Sequence, residues 1–423
     1  NYTDKNFLSL ALILLLPASG GLVAGLIGYY FSKNSVGTGT DEMINAFHNE
    51  GGQMDERLPV YKSIATIFTI SSGGSGGKEG PIAQIGASIG VWLSNLVKAG
   101  DRARRTLLLA GTAAGLGSVF RAPLGGALTA VEMVYREDIE SDALIPCFIS
   151  SVTAYLIFNG IMGSDELLHV GYISSFRFNE LPFYLILGVL CYVFAFLFLK
   201  GFKDARNFIG KIKIHPVVKP AIGGLLVGCV SLFFFETSGT GNVFVQLVFN
   251  GLKPSVLGTS IWMMACSFLV IAFLKVVTTT LTIGSGGSAG IFGPSLFVGA
   301  MLGAAVGTIA QYLLPENQIS ISSFMVVGMG AFYAGIASAP IAGIIMICEM
   351  TGSYSLLPPL ILVSIFTFII SKQINIYSSQ VENRFKSPAH IWDMKIDVLK
   401  NIQISNYFIE FRSLAQIKNL SLI

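Results

Sequence analysis

The sequence contains few charged residues. Asp, Glu, Lys and Arg make up 12% of its 423 residues, whereas a soluble globular protein carries about 25%. Hydrophobic residues account for 52%, and the mean hydropathy is +0.68. A chain with so little polar surface is not expected to be soluble. This composition argues against a water-soluble enzyme and against a nucleic-acid-binding domain, and it predicts a membrane protein.

The sequence also lacks the residue patterns of metal centres and enzyme active sites. Its four histidines and five cysteines show no metal-ligand spacing, and no His-Glu-x-x-His motif is present. The lysine of GSGGKEGP is not followed by Ser or Thr, so this stretch is not a nucleotide-binding loop. We therefore expect no enzymatic activity, no metal and no cofactor. An intramembrane enzyme is a remote alternative, which stoichiometric zinc would revive.

Apolar segments recur along almost the whole chain. Several exceed the roughly 20 residues that cross a bilayer, and others are about half that length. Short or glycine-interrupted apolar segments in both halves of a chain are typical of transporters. Basic clusters at 98–105, at 200–219 and after residue 380 favour the cytoplasmic side. We therefore predict an all-α, multi-pass protein of the cell membrane with a cytoplasmic C-terminus.

Two segment pairs reveal an internal repeat. SGGSGGKEGP (72–81) and SGGSAGIFGP (285–294) agree at seven of ten positions, and the segment at 110–133 aligns without gaps to the segment at 327–350. The two pairs have nearly the same separation, which indicates a duplicated unit of the inverted-repeat type. We predict a first membrane half at 1–205, a second at 206–385 and a cytoplasmic tail at 386–423.

Each glycine-rich stretch leads into proline and then an apolar helix. Proline is favoured in the first helical turn, and the preceding glycines allow close backbone approach. A helix that starts there directs unpaired N–H groups and its positive dipole end at whatever lies in front. Two such starts that meet in the membrane would form a cage of donors for an anion. The alternative, that glycine only permits close helix packing, is favoured for Gly86, Gly90, Gly299 and Gly303.

These residues resemble the CLC family of chloride channels and proton-coupled chloride antiporters. The family motifs correspond here to GTGTD (37–41), GKEGP (77–81), GIFGP (290–294) and INIYSS (374–379). The resemblance implies a homodimer in the lipid bilayer, with one pore in each subunit. Each pore would be built from two antiparallel repeats of tilted and half-spanning helices.

The resemblance also implies which residues bind the anion. The hydroxyls of Thr38 and Tyr377 and the backbone N–H groups of Ile291 and Phe292 would be donors, with Gly39 completing the first motif. Thr38 replaces the family's serine and keeps its hydroxyl. Asp41 stands where the family usually has proline, so the local turn is expected to differ.

Glu79 would be the gating glutamate. When ionised it would occupy the donor cage as a tethered anion, and when protonated it would swing away and admit chloride. A carboxylate inside the membrane is costly to bury, so a functional role is the first expectation for Glu79. Lys78 would raise the local positive potential. A salt bridge between Lys78 and Glu79 is the alternative, but adjacent helical residues do not face each other.

Antiporters of this family need a second, inner carboxylate, and the aligned position here is Met133. Glu132 and Glu137 are candidates for an inner proton relay. Glu132 has a repeat partner in Glu349, which favours a helix-capping role, and Glu137 is also explained as a solvated loop charge. Passive chloride conduction is therefore slightly favoured. Coupled chloride/proton exchange through another acid or a water wire is the alternative.

The expected substrate is chloride, joined by protons only in the exchange mode. The Thr38 hydroxyl favours chloride over fluoride, because fluoride-specific relatives depart at the first motif. Nitrate uses the same donors and stays open as a substrate. In many family members a nucleotide-sensing pair of domains follows the last helix, and the tail at 386–423 has room only for the beginning of one.

Overall fold

The chain is all-helical over the residues that the computed structural model describes, 7–163, 168–171, 176–252, 254, 258 and 260–390. This part of the chain has no named strand, only three isolated bridges, Gly37–Ser288, Gly77–Gly290 and Tyr135–Val381. Short 3-10 turns occur in several connections. The α-helices are α1 Phe7–Tyr30, α2 Thr40–Asn49, α3 Leu58–Ser71, α4 Glu79–Leu96, α5 Asp101–Phe120, α6 Pro123–Glu132, α7 Leu144–Met162, α8 Leu181–Lys211, α9 Lys219–Ser231, α10 Asn242–Phe249, α11 Ile261–Gly284, α12 Phe292–Leu313, α13 Ile321–Ala337, α14 Pro340–Met350 and α15 Leu357–Ile370.

The helices fall into long and short classes, as the hydropathy pattern predicts. Five spans in the described residues are long and apolar enough to cross a membrane, and four further apolar helices have 10–17 residues. α12 lies at the centre of the molecule, with 78% of its apolar window buried, whereas the corresponding value for the span that contains α7 is 11%. α7 therefore presents most of its surface outward, and α12 is enclosed by other helices.

The helices of the two halves follow the same order. α4 and α12 start 213 residues apart, and α6 and α14 start 217 residues apart, which matches the separations of the sequence repeats. On this basis α1–α7 correspond to α9–α15, and the long helix α8 lies between the two sets. The predicted boundary at residue 205 falls inside α8 and stays a prediction. Of the predicted tail, residues 391–423 lie outside the described part.

Glycines allow the central helices of each half to touch backbone to backbone. A Cβ added to Gly299 of α12 would lie 2.3 Å from the carbonyl oxygen of Gly328 in α13, and one added to Gly328 would lie 2.2 Å from that of Gly299. Gly86 and Gly111, the repeat counterparts on α4 and α5, show the same reciprocal approach, at 2.2 and 2.1 Å. Small residues permit this close packing in membranes, so these glycines have a structural role.

We expect Gly299→Ala to destabilise the protein by about 1–3 kcal/mol, the usual cost of overpacking a filled site. The added methyl group would meet a backbone oxygen that cannot rotate away, so α12 and α13 would have to separate. Gly160→Ala in α7 is the matched control, because nothing lies within 4 Å of its added Cβ and alanine favours a helix more than glycine does. Thermal unfolding in detergent would measure both, and equal melting of Gly299→Ala and the parent would contradict the prediction.

Candidate anion-binding site

The two glycine-rich stretches meet and pair with each other. The Gly77 N–H donates to the Gly290 carbonyl at 2.7 Å, and the Gly290 N–H donates to the Gly77 carbonyl at 2.6 Å. α4 begins at Glu79 and α12 begins at Phe292, each two residues beyond its paired glycine. The two helix starts therefore lie on either side of this pairing, and their unbonded amide groups converge on one region, as the repeat predicts.

The first motif lies against the same region. Gly37 and Gly39 have φ angles of +76° and +81°, which favour glycine. The Gly37 N–H donates to the Gly287 carbonyl at 3.1 Å, which fixes the motif on the second half of the chain. Thr38 is 8% exposed, and its carbonyl oxygen lies 2.6 Å from the position of a Cβ on Gly80. Thr38 is thus held beside the first turn of α4.

The Glu79 side chain crosses from the first half of the chain to the second. It is 4% exposed, and its Oε2 accepts a hydrogen bond of 3.3 Å from the Gly293 N–H. Gly293 is in the first turn of α12, where the helix dipole favours negative charge. The carboxylate therefore lies at a helix N-terminus, the kind of position that binds anions in proteins.

The space next to the Glu79 side chain is narrow. A cavity of about 10 Å³ borders it, lined in part by Phe120, Leu296 and Phe297. A cavity needs about 10–15 Å³ of such volume to hold one water molecule. With Glu79 in this position, this cavity is about the size of a single water molecule.

Ile291 and Phe292 bring buried apolar side chains to the beginning of α12. They are 4% and 7% exposed and stand at the start of α12. The Phe292 ring packs against the rings of Phe120 and Tyr333, with centroid distances of 4.3 and 4.4 Å. Apolar packing holds these side chains in place and leaves the N–H groups of the first turn as the polar surface.

Tyr377 lies beyond the last described α-helix. α15 ends at Ile370, and Tyr377 is in the connecting segment that follows, 5% exposed. Its phenol lies close to the Thr40 side chain, and the Thr40 hydroxyl oxygen is 3.1 Å from the position of a Cβ on Gly80. The structure thus brings Thr38, Glu79, the start of α12 and Tyr377 to one place.

Lys78 is partly buried at the N-terminus of α4. The ion pairs formed by the described residues do not include one between Lys78 and Glu79. The salt-bridge alternative is therefore not supported by the geometry. The raised positive potential stays a prediction.

A second GTG motif went unnoticed in the sequence. Gly239–Gly241 precede α10 as Gly37–Gly39 precede α2, and Gly239 and Gly241 have φ angles of +58° and +82°. The Gly239 N–H donates to the Gly73 carbonyl at 3.3 Å, and the Gly76 N–H donates to the Gly239 carbonyl at 3.2 Å. The shared GTG in SVGTGT (35–40) and TSGTGN (237–242) is the sequence feature that could have revealed this repeat.

Two buried lysines were also missed. Lys62 and Lys275 are both 0% exposed, and they are separated by the same 213 residues as the starts of α4 and α12. The Lys62 ammonium donates to the Gly37 carbonyl at 3.0 Å, and the Lys275 ammonium donates to the Gly239 carbonyl at 2.7 Å. Each lysine therefore supports one GTG loop through a hydrogen bond to its first glycine.

Glu132 and Glu349 each cap the start of a helix in the opposite half of the chain. The Glu132 carboxylate accepts hydrogen bonds from the Ile341 and Ala342 N–H groups at 3.1 and 2.6 Å, at the start of α14. Glu349 accepts from Leu124 and Gly125 at 3.2 and 2.8 Å, at the start of α6. The arrangement is that of helix caps shared between the two halves, which is the role that the repeat favoured for Glu132.

The remaining relay candidate is near the polar edge of the molecule. Glu137 pairs with Lys372 at 3.1 Å, and these side chains are 46% and 52% exposed. Glu140 is more deeply placed, 3% exposed, with its Oε2 at 2.7 Å from the Tyr135 hydroxyl and 2.8 Å from His390 Nε2. Met133, 3% exposed, offers no proton-carrying group between them and the site.

The fold and the site together define a class of protein: a helical membrane protein with two repeats whose helix starts meet at the Gly77–Gly290 pairing. The family model described as "Voltage gated chloride channel" matches residues 20–372. The chain belongs to this family, which confirms the resemblance seen in the motifs.

Individual relatives agree with this assignment. A ClcB-like chloride channel protein of Ralstonia nicotianae is 32% identical over 363 residues, which cover 84% of this chain and 81% of that protein. The fold is similar to that of a slow cyanobacterial Cl⁻/H⁺ antiporter, with a TM-score of 0.76, 20% identity and coverage of 94% and 89% of the two chains. A CLC-type fluoride/proton antiporter gives a TM-score of 0.72, 20% identity and coverage of 90% and 100%.

Proposed function

We propose that this protein transports chloride selectively through a CLC-type pore that opens when Glu79 is protonated. The observation that carries the proposal is the bond from the Gly293 N–H to the Glu79 carboxylate, at 3.3 Å. The carboxylate lies among helix N-terminal amides where a free anion would bind. Protonation removes its charge and therefore its advantage over chloride for these donors.

The anion in this proposal is held by neutral and backbone donors. The hydroxyls of Thr38 and Tyr377 and the N–H groups near Gly39, Ile291 and Phe292 supply them, and Lys78 adds positive potential at the start of α4. Donors without full charge suit a transported ion, because binding must be strong enough to admit it and weak enough to release it.

We favour passive conduction over coupled exchange. A proton that moves with chloride needs an ionisable group on the cytoplasmic side of the site, and Met133 has none. Both oxygens of Glu132 accept backbone N–H groups of α14, so a proton on this side chain would weaken these charge-assisted bonds. Glu137 is exposed and paired with Lys372.

Coupled chloride/proton exchange is the second candidate. Glu140 is buried between Tyr135 and His390, so two titratable groups of the connection that follows Met133 lie beside a histidine from the segment after α15. Two solved structures of the same fold are described as proton antiporters. In this mode the cluster around Glu140, or a water wire, would carry the proton that Met133 cannot.

The surroundings in this proposal follow from the charge pattern and the family. The chain would form a homodimer in the cell membrane, with one pore per subunit and no cofactor. The basic segments at 98–105 and 200–219 favour the cytoplasmic side for both, and the segment from 381 onward would lie on the same side.

Crystals soaked in bromide test the anion site directly. We expect an anomalous peak within hydrogen-bonding distance of the Tyr377 hydroxyl and the amides at the start of α12. In a Glu79→Gln crystal we expect a further peak where the carboxylate contacts Gly293. Maps without a peak in the Glu79→Gln crystal at saturating bromide would contradict the proposal.

A further inference from the structure

Asp41 departs from the family motif, and the structure shows what it contacts. Its Oδ1 accepts a hydrogen bond of 2.8 Å from the Ser379 N–H, and its Oδ2 accepts one of 2.6 Å from the Ser378 hydroxyl. Both partners belong to the segment after α15, more than 330 residues further along the chain. Proline at this position would make neither bond.

The two ends of this contact are next to the two proposed hydroxyl ligands. Asp41 is in the first turn of α2, immediately after Thr40 and close to Thr38. Ser378 directly follows Tyr377. The Thr40 side chain lies close to the Tyr377 phenol. The Asp41 carboxylate therefore joins the start of α2, which follows Thr38, to the segment that contains Tyr377.

The segment that carries Tyr377 contains no α-helix and is held by hydrogen bonds to other elements, among them those from the Arg136 N–H to the Val381 carbonyl at 2.9 Å and from the Glu137 N–H to the Glu382 carbonyl at 3.0 Å. α15 ends at Ile370, and the next helical turn begins at Arg384. On the far side of Tyr377, the Gln380 amide donates to the carbonyls of Met133 and Tyr135 at 2.8 and 2.9 Å, which ties the segment to the end of α6. The Asp41 carboxylate supplies a tie to the first turn of α2, which follows Thr38 along the chain.

We propose that Asp41 is a positioning residue that sets the distance between the Tyr377 and Thr38 hydroxyls and so determines halide affinity. The proposal rests on the proposed function, because it takes Tyr377 as an anion donor. Asp41 does not need to touch the ion. It fixes the rotamer and height of a donor that a connecting segment alone would leave free to move.

The charge of Asp41 is a separate matter from its hydrogen bonds. Asp41 lines a cavity of about 260 Å³ together with Glu42, Glu50 and Asp55, so it belongs to an acidic surface that opposes anion binding. Asp41→Asn removes the charge and keeps a carbonyl oxygen for the Ser379 N–H and an amide group that can donate to the Ser378 oxygen. Asp41→Ala removes both the charge and the bonds. The two variants separate positioning from electrostatics.

Chloride and bromide affinities by isothermal titration of the detergent-solubilised full chain test the proposal. We expect Tyr377→Phe to lower affinity about tenfold, since one hydrogen bond to a charged partner contributes about 1.5 kcal/mol or more. Asp41→Ala is expected to lower it by up to the same factor, Ser378→Ala by less, and Asp41→Asn by less than about twofold. Asp55→Ala is the matched control and should leave halide affinity unchanged. Asp55 lines the same cavity, but its side chain accepts a hydrogen bond of 2.9 Å from the Arg57 backbone N–H.

The decisive variant is Asp41→Ala combined with Tyr377→Phe. If Asp41 acts through Tyr377, the double variant binds halide as Tyr377→Phe does, because the two changes are not additive. A further loss in the double variant, or a loss in Asp41→Asn equal to that in Asp41→Ala, would overturn the proposal. If Tyr377→Phe lowers affinity but Asp41→Ala and Ser378→Ala do not, only this inference fails. If Tyr377→Phe has no effect, the ligand role of Tyr377 fails as well.

Discussion

The Glu79→Gln variant is expected to transport chloride at all pH values and to lose the acid activation of the parent. In the parent, the Glu79 carboxylate accepts the Gly293 N–H at 3.3 Å, a position in which its ionised form would compete with chloride. A hydrogen bond to a charged acceptor contributes about 1.5–3 kcal/mol, against about 1 kcal/mol for a neutral one. Neutralisation should therefore raise apparent chloride affinity about tenfold, since 1.4 kcal/mol corresponds to a factor of ten.

Chloride efflux from proteoliposomes across a series of pH values measures this effect. The parent should become faster as the pH falls, because a protonated Glu79 loses its attraction to the helix amides, and the variant should give a flat profile. Glu316→Gln removes an acid from an exposed position in the connection between α12 and α13, and it should keep the parent's profile. Loss of all chloride flux in Glu79→Gln would show that Glu79 does not act as the gate.

The reversal potential of the reconstituted protein is expected to follow the chloride gradient alone. Under crossed chloride and pH gradients, a passive pathway reverses at the chloride equilibrium potential, whatever the pH difference. Fixed-ratio exchange would shift that potential whenever the pH gradient changes. The physical reason for expecting no shift is the thioether of Met133, which cannot hold a proton, together with the use of both Glu132 oxygens as helix caps.

Uphill chloride movement driven by a proton gradient would overturn passive conduction in favour of exchange. In that case, three neutralised variants would locate the proton path: Glu132→Gln, Glu137→Gln and Glu140→Gln. The relay acid is the one whose neutralisation uncouples the proton from chloride and leaves chloride flux in place. Each variant also needs its thermal stability measured, because Glu132 and Glu140 are buried and hydrogen-bonded.

The sequence predicted the parts of the fold that depend on local composition. Apolar length predicted the membrane helices, and glycine followed by proline predicted the starts of α4 and α12. The duplicated stretches predicted that Gly77 and Gly290 would come together, because an inverted repeat places equivalent segments around one axis. The repeat also favoured the capping role of Glu132, since a scaffold contact is expected in both halves.

Contacts between distant, dissimilar segments were not predictable. The bond between Asp41 and Ser379 joins residues with no repeat relation, and nothing in either local pattern specifies the other. The buried lysines were missed for a different reason. Lys62 and Lys275 are each the single lysine of a mainly apolar segment, where a lysine side chain usually extends to water. Their hydrogen bonds to the GTG carbonyls explain their burial.

The exchange of carboxylates between α6 and α14 shows that neither half is structurally self-sufficient. In an isologous interface between identical subunits, residue i of one subunit contacts residue j of the other, and residue j of the first contacts residue i of the second. Here that association exists inside a single polypeptide. A substitution of Glu132 would leave N–H groups of the opposite half without an acceptor, because lipid offers none. A change in one repeat would therefore destabilise the other repeat.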